Sequence, residues 1–182
     1  WRNENMKKIL AMLLALVMVL SLAACGAPAA EAPAASEAAY KVAMVTDYGD
    51  ITDQSFNQTT WEAVIKFGED NGVDYKYYKP TSNDTAGRVA SVELAIAEGY
   101  NVIVMPGYAF GGTIAEVSAN YPEIKFIALD VAAGDLLETA VALKGETYDY
   151  NPDNWNLTDY VHMDNVYCAI YQEELAGYMA GY

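Results

Sequence analysis

The chain has 182 residues, with 25 acidic against 10 basic side chains and a formal charge of −15 at pH 7. Nucleic-acid binding requires clustered lysine and arginine to neutralise phosphates, and no such cluster follows residue 39. We therefore expect no nucleic acid partner. The acidic balance is compatible with solubility outside the cell and with a neutral or cationic ligand.

The N-terminal region is predicted to be a secretory signal. Residues 1–5 precede Met6 and are interpreted as translated upstream sequence or a gene-calling artefact. Lys7 and Lys8 are followed by an apolar stretch over residues 9–20 and then by small residues, which is the layout of a cleaved signal peptide. The stretch is short for a membrane span. We assign the signal to residues 6–24.

Cys25 ends the segment Leu-Ala-Ala-Cys, which resembles a bacterial lipobox. The resemblance implies that Cys25 is lipidated and becomes the first residue of a mature protein on the outer face of a membrane. The alternative is an ordinary signal cleaved nearby. Residues 25–39 contain Ala, Pro, Glu and Ser with little that builds a core, and they predict a flexible tether.

From Tyr40 onward, strand and helix patterns alternate. Repeated βα units predict an α/β fold, a parallel sheet with helices on both faces. A long loop is predicted over residues 144–160, a partly strand-like segment over 161–171, and a helix start from Glu173. Predicted strands are 41–46, 74–79, 102–106, 125–130 and, more weakly, Thr139–Leu143; predicted helices are 55–71, 85–98 and 113–120.

The junction between the first strand and the first helix carries the most specific motif. It reads Asp-Tyr-Gly-Asp-Ile-Thr-Asp-Gln-Ser-Phe-Asn over Asp47–Asn57, and loops of this kind bind ligands at the carboxyl ends of parallel strands. The motif resembles the first binding loop of the basic membrane protein (BMP) family, the purine nucleoside receptor-like lipoproteins that serve as substrate-binding components of ABC transporters. Phe126–Asp130 adds a weaker likeness.

That resemblance implies a type I periplasmic-binding-protein-like fold without enzymatic activity. The first lobe would occupy residues 40–160, and residues 161–182 would be the crossover and the start of a truncated second lobe. The partners implied are a nucleoside-like solute, with purine nucleosides favoured, an ABC permease and the membrane that holds the lipid anchor. No cofactor is implied.

Carried over by position, the resemblance implies that Phe56 stacks on a nucleobase and that Asp47 and Asn57 make polar contacts. It also implies that Gly107 permits close ligand approach and that Tyr108 lines the pocket. Asp130 ends an apolar strand, where a carboxylate can accept hydrogen bonds from two ribose hydroxyls.

Each of these residues also has a structural interpretation. Phe56 would be a core residue at a helix start, Asp47 and Asn57 would make loop and cap hydrogen bonds, and Asp130 would be a solvated turn residue. Asp53 is interpreted as a helix cap.

Other chemistries have weaker support. His162 has no neighbouring metal ligand in sequence, so no metal site is expected, and Cys168 lies in an apolar run that predicts a buried, inert thiol. The glycine-rich segment 107–112 lacks the spacing of phosphate-binding loops.

Three other functions remain open from the sequence. They are sugar binding by the same fold, a lipid-anchored hydrolase that uses two of the carboxylates, and a sensor lobe that signals to a receptor. A glycosidase would require a carboxylate pair, one member with a raised pKa. The carboxylates available for that pair are Asp47, Asp50, Asp53 and Asp130.

Overall fold

The computed structural model describes residues 40–171 and Met179. The predicted signal peptide, lipidated Cys25, tether and C-terminal helix start lie outside these residues, apart from Met179. No helix among the described residues is both long enough and apolar enough to cross a membrane.

A five-stranded sheet forms the centre of the fold, with the strand order β2-β1-β3-β4-β5. Every neighbouring pair is parallel, which confirms the predicted α/β class. The strands are β1 (Lys41–Val45), β2 (Asp74–Tyr78), β3 (Val102–Pro106), β4 (Lys125–Leu129) and β5 (Val166–Ala169); the helices are α1 (Phe56–Asn71), α2 (Thr85–Ala97), α3 (Gly111–Val117) and α4 (Ala133–Leu143).

Helices cover both faces of the sheet, but unequally. On one face, Val92 of α2, Ile114 of α3 and Leu136 of α4 pack in one large core with alternate strand residues. On the other face, Val64 of α1 packs in a smaller core with the opposite set of strand side chains. Successive strand residues point to opposite faces, so β1 and β3 contribute to both cores.

Local capping fixes the two helices nearest the predicted site. Helix α1 ends at Gly72, which has φ 64° and donates its N–H to the Gly68 carbonyl, as expected of a left-handed glycine cap. Helix α2 begins after Asp84, whose carboxylate accepts the Gly87 N–H at 2.7 Å.

The weak strand prediction over Thr139–Leu143 is wrong, because these residues form the end of α4. The helix starts where the Asp135 carboxylate accepts the N–H of Ala132 at 2.8 Å. Its buried residues, Leu136, Leu137, Ala140 and Val141, recur at helical spacing. The helix predicted from Thr113 is also shifted, since α3 starts at Gly111.

The strand-like segment after residue 160 contains β5, which pairs with β4 in the first sheet. This sheet therefore extends beyond the predicted lobe boundary at residue 160. The prediction that Cys168 is buried is wrong, since its side chain is exposed. In this edge strand only Val166 is buried, because β5 has a strand neighbour on one side only.

Candidate functional site

The predicted site residues gather around the carboxyl ends of β1, β3 and β4. Strand order reverses at β1, whose neighbours are β2 and β3. The chain leaves β1 toward α1 on one face of the sheet and leaves β3 toward α3 on the other face. Such a switch point opens a crevice that binds ligands in doubly wound folds.

Asp47 is held rigidly at the start of the β1–α1 loop (residues 46–55). Its Oδ1 atom accepts hydrogen bonds from the N–H groups of Tyr48 at 2.6 Å and Gly49 at 2.7 Å. A third bond comes from Asn57 Nδ2 at 2.9 Å. The Oδ2 atom accepts no hydrogen bond from the described residues, so one oxygen of a fixed carboxylate remains available to a ligand.

The pKa of Asp47 lies below its ordinary value. Burial works in the opposite direction and is the largest single influence, but the bonds from Gly49, Tyr48 and Asn57 together outweigh it. The side chain is therefore an anionic acceptor at neutral pH.

Asn57 lies in the first turn of α1 and is only 4% exposed. Its Nδ2 atom donates to Asp47 Oδ1 and to Asp53 Oδ2, each at 2.9 Å. Its Oδ1 accepts the Asp47 N–H at 3.3 Å. A methyl group on Gly49 would lie 2.5 Å from Asn57 Nδ2, so the loop needs glycine there. Asn57 thus orders Asp47 within the loop.

Asp53 caps the start of α1, as the sequence predicts. Its Oδ1 atom accepts the N–H groups of Ser55 at 2.8 Å and Gln58 at 3.2 Å. Both oxygens are engaged within the loop, since Oδ2 accepts from Asn57. Asp53 therefore has a structural role in this arrangement.

Gly107 follows β3 and faces Asp47 across the crevice. Its backbone has φ 118° and ψ 145°, a conformation that other residues adopt only under strain. An added Cβ would lie 3.9 Å from Asp47 Cβ. Tyr108 comes next and is 69% exposed, so its ring does not lie inside a closed pocket.

Asp130 follows β4 and has φ 61°, the left-handed region that costs a non-glycine residue roughly 1–3 kcal/mol. Its N–H donates to the Ala169 carbonyl at 2.7 Å, and this bond joins the turn to β5. Gly107 donates its N–H to the Leu129 carbonyl at 2.8 Å. The turns that carry Gly107 and Asp130 are therefore neighbours at one edge of the sheet.

Phe56, the first residue of α1, contacts Tyr171, with ring centroids 5.8 Å apart and planes inclined at 58°. Its ring also lines the carboxyl end of an apolar groove of about 510 Å³ beside α1. Asp47, Asn57, Gly107, Tyr108 and Asp130 do not line that groove. The structure thus brings the segments that carry these five residues to the carboxyl edge of the sheet, while Phe56 lines the carboxyl end of the groove.

Among the described residues, α1 is the helix on the sheet face along which the groove extends. At its amino end it is lined by Tyr40, Val102 and Lys125, and at its carboxyl end by Phe56, Leu129 and Tyr171. Parallel sheets are normally buried on both faces, whereas these strand side chains border a groove beside α1 within the part of the chain that the structure describes. The groove offers few polar groups for a hydroxylated ligand.

Two basic residues near the site were missed by sequence reasoning. Lys79 follows β2 and pairs with Asp50, with Nζ 3.2 Å from Oδ2. Arg88 of α2 is 6% exposed, and its Nη1 approaches the Asp47 carbonyl oxygen at 3.4 Å. A signal for Arg88 exists in the sequence, since it is the only arginine after residue 39.

The electrostatics of the β1–α1 loop do not match glycoside hydrolysis. The pKa of Asp50 is lowered chiefly by its hydrogen bond from Lys79. Burial raises the pKa of Asp53, but bonds from Asn57, Ser55 and Gln58 bring it below its ordinary value. The pKa of Asp47 is lowered as well. This loop therefore holds no carboxyl group with the raised pKa that a general acid needs.

Among residues 40–171 and Met179, no group of three or more His, Cys, Asp or Glu side chains is arranged to hold a metal ion. The carboxylates of the crevice are instead engaged with backbone and amide donors.

Comparison with known proteins identifies several relatives. The CD4+ T-cell-stimulating antigen of Listeria innocua is 33% identical over 134 residues, which cover 67% of this chain and 37% of the relative. The ABC transporter nucleoside-binding protein BmpA of Lactococcus lactis is 28% identical over 99 residues, 52% of this chain and 28% of that protein. An uncharacterized lipoprotein of Pyrococcus abyssi is 29% identical over 101 residues, 56% of this chain and 25% of the relative.

The matched segments therefore cover between 25% and 37% of the length of these relatives. A family profile described as "ABC transporter substrate-binding protein PnrA-like" matches residues 40–182. That is a family of substrate-binding proteins and not of enzymes, so the family resemblance and the non-enzymatic assignment drawn from the sequence are confirmed. The chain belongs to the Bmp family of PnrA-like ABC transporter substrate-binding proteins.

Proposed function

We propose that this chain is the first lobe of a substrate-binding lipoprotein that captures a nucleoside outside the cytoplasm for import by an ABC permease, with purine nucleosides favoured. The single observation that carries the proposal is the arrangement at Asp47. Three hydrogen bonds fix one carboxylate oxygen, the other oxygen has no partner among the described residues, and Gly107 lies so close that an added Cβ would be 3.9 Å from the Asp47 Cβ. A rigid acceptor next to an unobstructed backbone suits a hydroxylated ligand that approaches closely.

Each residue of the crevice has a distinct role in this proposal. Asp47 Oδ2 accepts a hydrogen bond from the ligand, and Asp130 accepts hydrogen bonds from the ribose hydroxyls. Phe56 stacks on the base, a contact that offset or tilted aromatic rings favour by about 0.5–1.5 kcal/mol beyond the area that they bury. Tyr108, which is exposed, closes over the ligand. Asn57 acts through Asp47, because its own amide is engaged in the loop.

Capture requires a second lobe. The relatives are about three times longer than the matched part of this chain. We propose that a second lobe closes on the ligand by a hinge motion. A single lobe leaves much of the ligand in water, so we expect weak binding by this lobe alone.

The lipid anchor is proposed from the sequence. The segment Leu-Ala-Ala-Cys25 and the tether after it would hold the protein at the outer face of the cell membrane, near its permease. The name of the Pyrococcus abyssi relative, a lipoprotein, supports this location.

The choice of nucleoside over sugar depends on the ring at Phe56 and on the name of the Lactococcus lactis relative, a nucleoside-binding protein. Both solutes carry hydroxyl groups that can donate hydrogen bonds to Asp47 and Asp130. Only the nucleoside adds a flat, nitrogen-containing ring. A free pentose would therefore use part of the site and bind less tightly.

Calorimetric titration of the full-length protein that contains this chain tests the proposal. The panel contains guanosine, inosine, adenosine, cytidine, the free base guanine, ribose and glucose, and chromatography of each mixture follows any conversion. We expect saturable binding of at least one purine nucleoside, weaker binding of guanine and ribose, and no conversion. Binding of sugars alone, or release of a product, would overturn the nucleoside proposal.

A further inference from the structure

Arg88 is a buried cation next to the proposed site. It lies in the first part of α2 and is 6% exposed. Among the described residues, no carboxylate lies within ion-pair distance of its guanidinium. Burial of a charge without a close partner is costly, so a long apolar side chain would fill this position at lower cost if packing were the only requirement.

The guanidinium lies beside three loops at the carboxyl edge of the sheet, those that follow β1, β2 and β3. Its Nη1 atom approaches the Asp47 carbonyl oxygen of the β1–α1 loop at 3.4 Å and Asn83 Oδ1 of the β2–α2 loop at 3.1 Å. Its Cζ lies 5.9 Å from the ring centroid of Phe110, which follows Gly107 and Tyr108 after β3. These contacts join segments that are distant in sequence.

We infer that Arg88 is a positioning residue that fixes the Asp47 carboxylate for ligand binding by holding the β1–α1 loop against the loops after β2 and β3. It acts on the backbone of Asp47, while Asn57 orders the side chain of the same residue from α1. Asp47 is therefore held from two helices. The expected effect of Arg88 on ligand affinity rests on the proposed function. Its expected effect on the order of the β1–α1 loop does not.

The remaining contacts of Arg88 fit this role. Its Nε atom is buried and has no hydrogen-bond partner among the described residues, so packing alone does not satisfy the side chain. Asp84 carries an opposite charge that interacts with Arg88, but its Oδ1 accepts the Gly87 N–H and the Ser82 hydroxyl, and among the described residues the two side chains form no ion pair. The guanidinium is thus left to the Asp47 carbonyl and to Asn83.

Backbone order in the ligand-free, full-length protein gives the first test. Arg88→Met keeps a long side chain over Phe110 and removes every donor, and Arg88→Lys keeps the charge and one donor group. We expect ¹⁵N order parameters of the Tyr48 and Gly49 amides to fall from about 0.85 toward 0.6 or below in Arg88→Met. Arg88→Lys should recover part of the loss. The matched control Lys66→Met removes an exposed cation from α1 and should change neither amide.

Titration with guanosine gives the second test. We expect Arg88→Met to weaken binding about tenfold or more while Lys66→Met leaves it unchanged. If the wild-type protein binds no nucleoside but the loop amides still loosen, the proposed function fails and the positioning role stands. If the Tyr48 and Gly49 amides stay ordered, or if the β3 amides of Val104 and Met105 loosen equally in both Arg88 variants, the positioning role is overturned.

Discussion

Asp47 and Asn57 hold each other through two reciprocal hydrogen bonds. The Asn57 amide donates to Asp47 Oδ1 at 2.9 Å, and the Asp47 N–H donates to Asn57 Oδ1 at 3.3 Å. This pair joins the end of β1 to the first turn of α1. The motif that marks the family in sequence therefore encodes a loop held in one conformation by its own hydrogen bonds.

Asn57→Ala should destabilise the lobe and weaken ligand binding. The change leaves the Asp47 N–H and carboxylate without their partner, and an unsatisfied buried polar group costs about 1–3 kcal/mol. Urea unfolding measures the loss. Lys66→Ala, at an exposed position of the same helix with only a surface ion pair to Asp70, is the control and should stay within about 0.5 kcal/mol. Equal effects of the two variants would contradict the role of the Asp47–Asn57 pair.

Gly107→Ala should reduce both stability and affinity, because its φ of 118° strains any side chain and its Cβ would narrow the crevice beside Asp47. The expected loss of stability is about 1–3 kcal/mol. Gly145→Ala is a matched control, since Gly145 also has positive φ but no atom within 4 Å of an added Cβ. The control should lose stability and keep its affinity for guanosine; loss of affinity in both variants would assign the effect to strain alone.

The stability of the lobe should depend on pH through Asp47. Its pKa is lower in the folded protein than its ordinary value of about 3.9. The unfolded state therefore binds a proton first as pH falls. The stabilisation from the ionised side chain is complete above the ordinary value and is lost as pH falls through the lowered folded-state pKa. Urea unfolding of wild type and Asp47→Asn across the acidic range should show profiles that converge toward low pH; parallel profiles would be the contrary result.

Phe56→Ala should reduce nucleoside affinity by about 1–3 kcal/mol, the usual range for an aromatic ring stacked on a base. Binding of ribose alone should be unaffected because ribose has no base. Since Phe56 also contacts Tyr171, Tyr171→Ala serves as the control for loss of that contact. An equal loss of guanosine affinity in both variants would indicate that Phe56 acts by packing with Tyr171 and not by stacking.

Asp130→Asn should weaken binding of guanosine more than binding of 2′,3′-dideoxyguanosine. The carboxylate accepts hydrogen bonds from ribose hydroxyls in the proposed complex, and hydrogen bonds to a charged group contribute about 1.5–3 kcal/mol each. The dideoxy ligand lacks those hydroxyls, so the substitution should change its affinity little. Calorimetry with both ligands measures the difference, and equal weakening would place the ribose away from Asp130.

The alternating order of elements was predictable because buried parallel strands and amphipathic helices leave separate periodic signals. The end of α4 was not predictable, because Thr139 and Val141 favour strands locally. Its helical pattern becomes clear only when Leu136 and Leu137 are included. Cys168 was misjudged because an apolar run does not indicate that its strand lies at a sheet edge.

Residues of the candidate site could be predicted from the sequence where a motif marks them. Residues that reach the site only through tertiary contacts could not. The positions of Asp47, Gly107 and Asp130 follow from the rule that ligands bind at the carboxyl ends of parallel strands. Arg88 could not be assigned in this way, because a single arginine on a helix is most often solvated. Only the packing of α2 against the loops reveals that its guanidinium is buried near the Asp47 carbonyl.

Titration of guanosine into the ¹⁵N-labelled, full-length protein is the most direct test of the central claim, that a nucleoside binds at the carboxyl edge of this sheet. We expect saturable changes in the amide signals of Tyr48, Gly49, Gly107 and Asp130. The absence of saturable changes would contradict nucleoside binding. Changes confined to Val42, Val104 and Ile127 would contradict the site, because those residues line the groove beside α1.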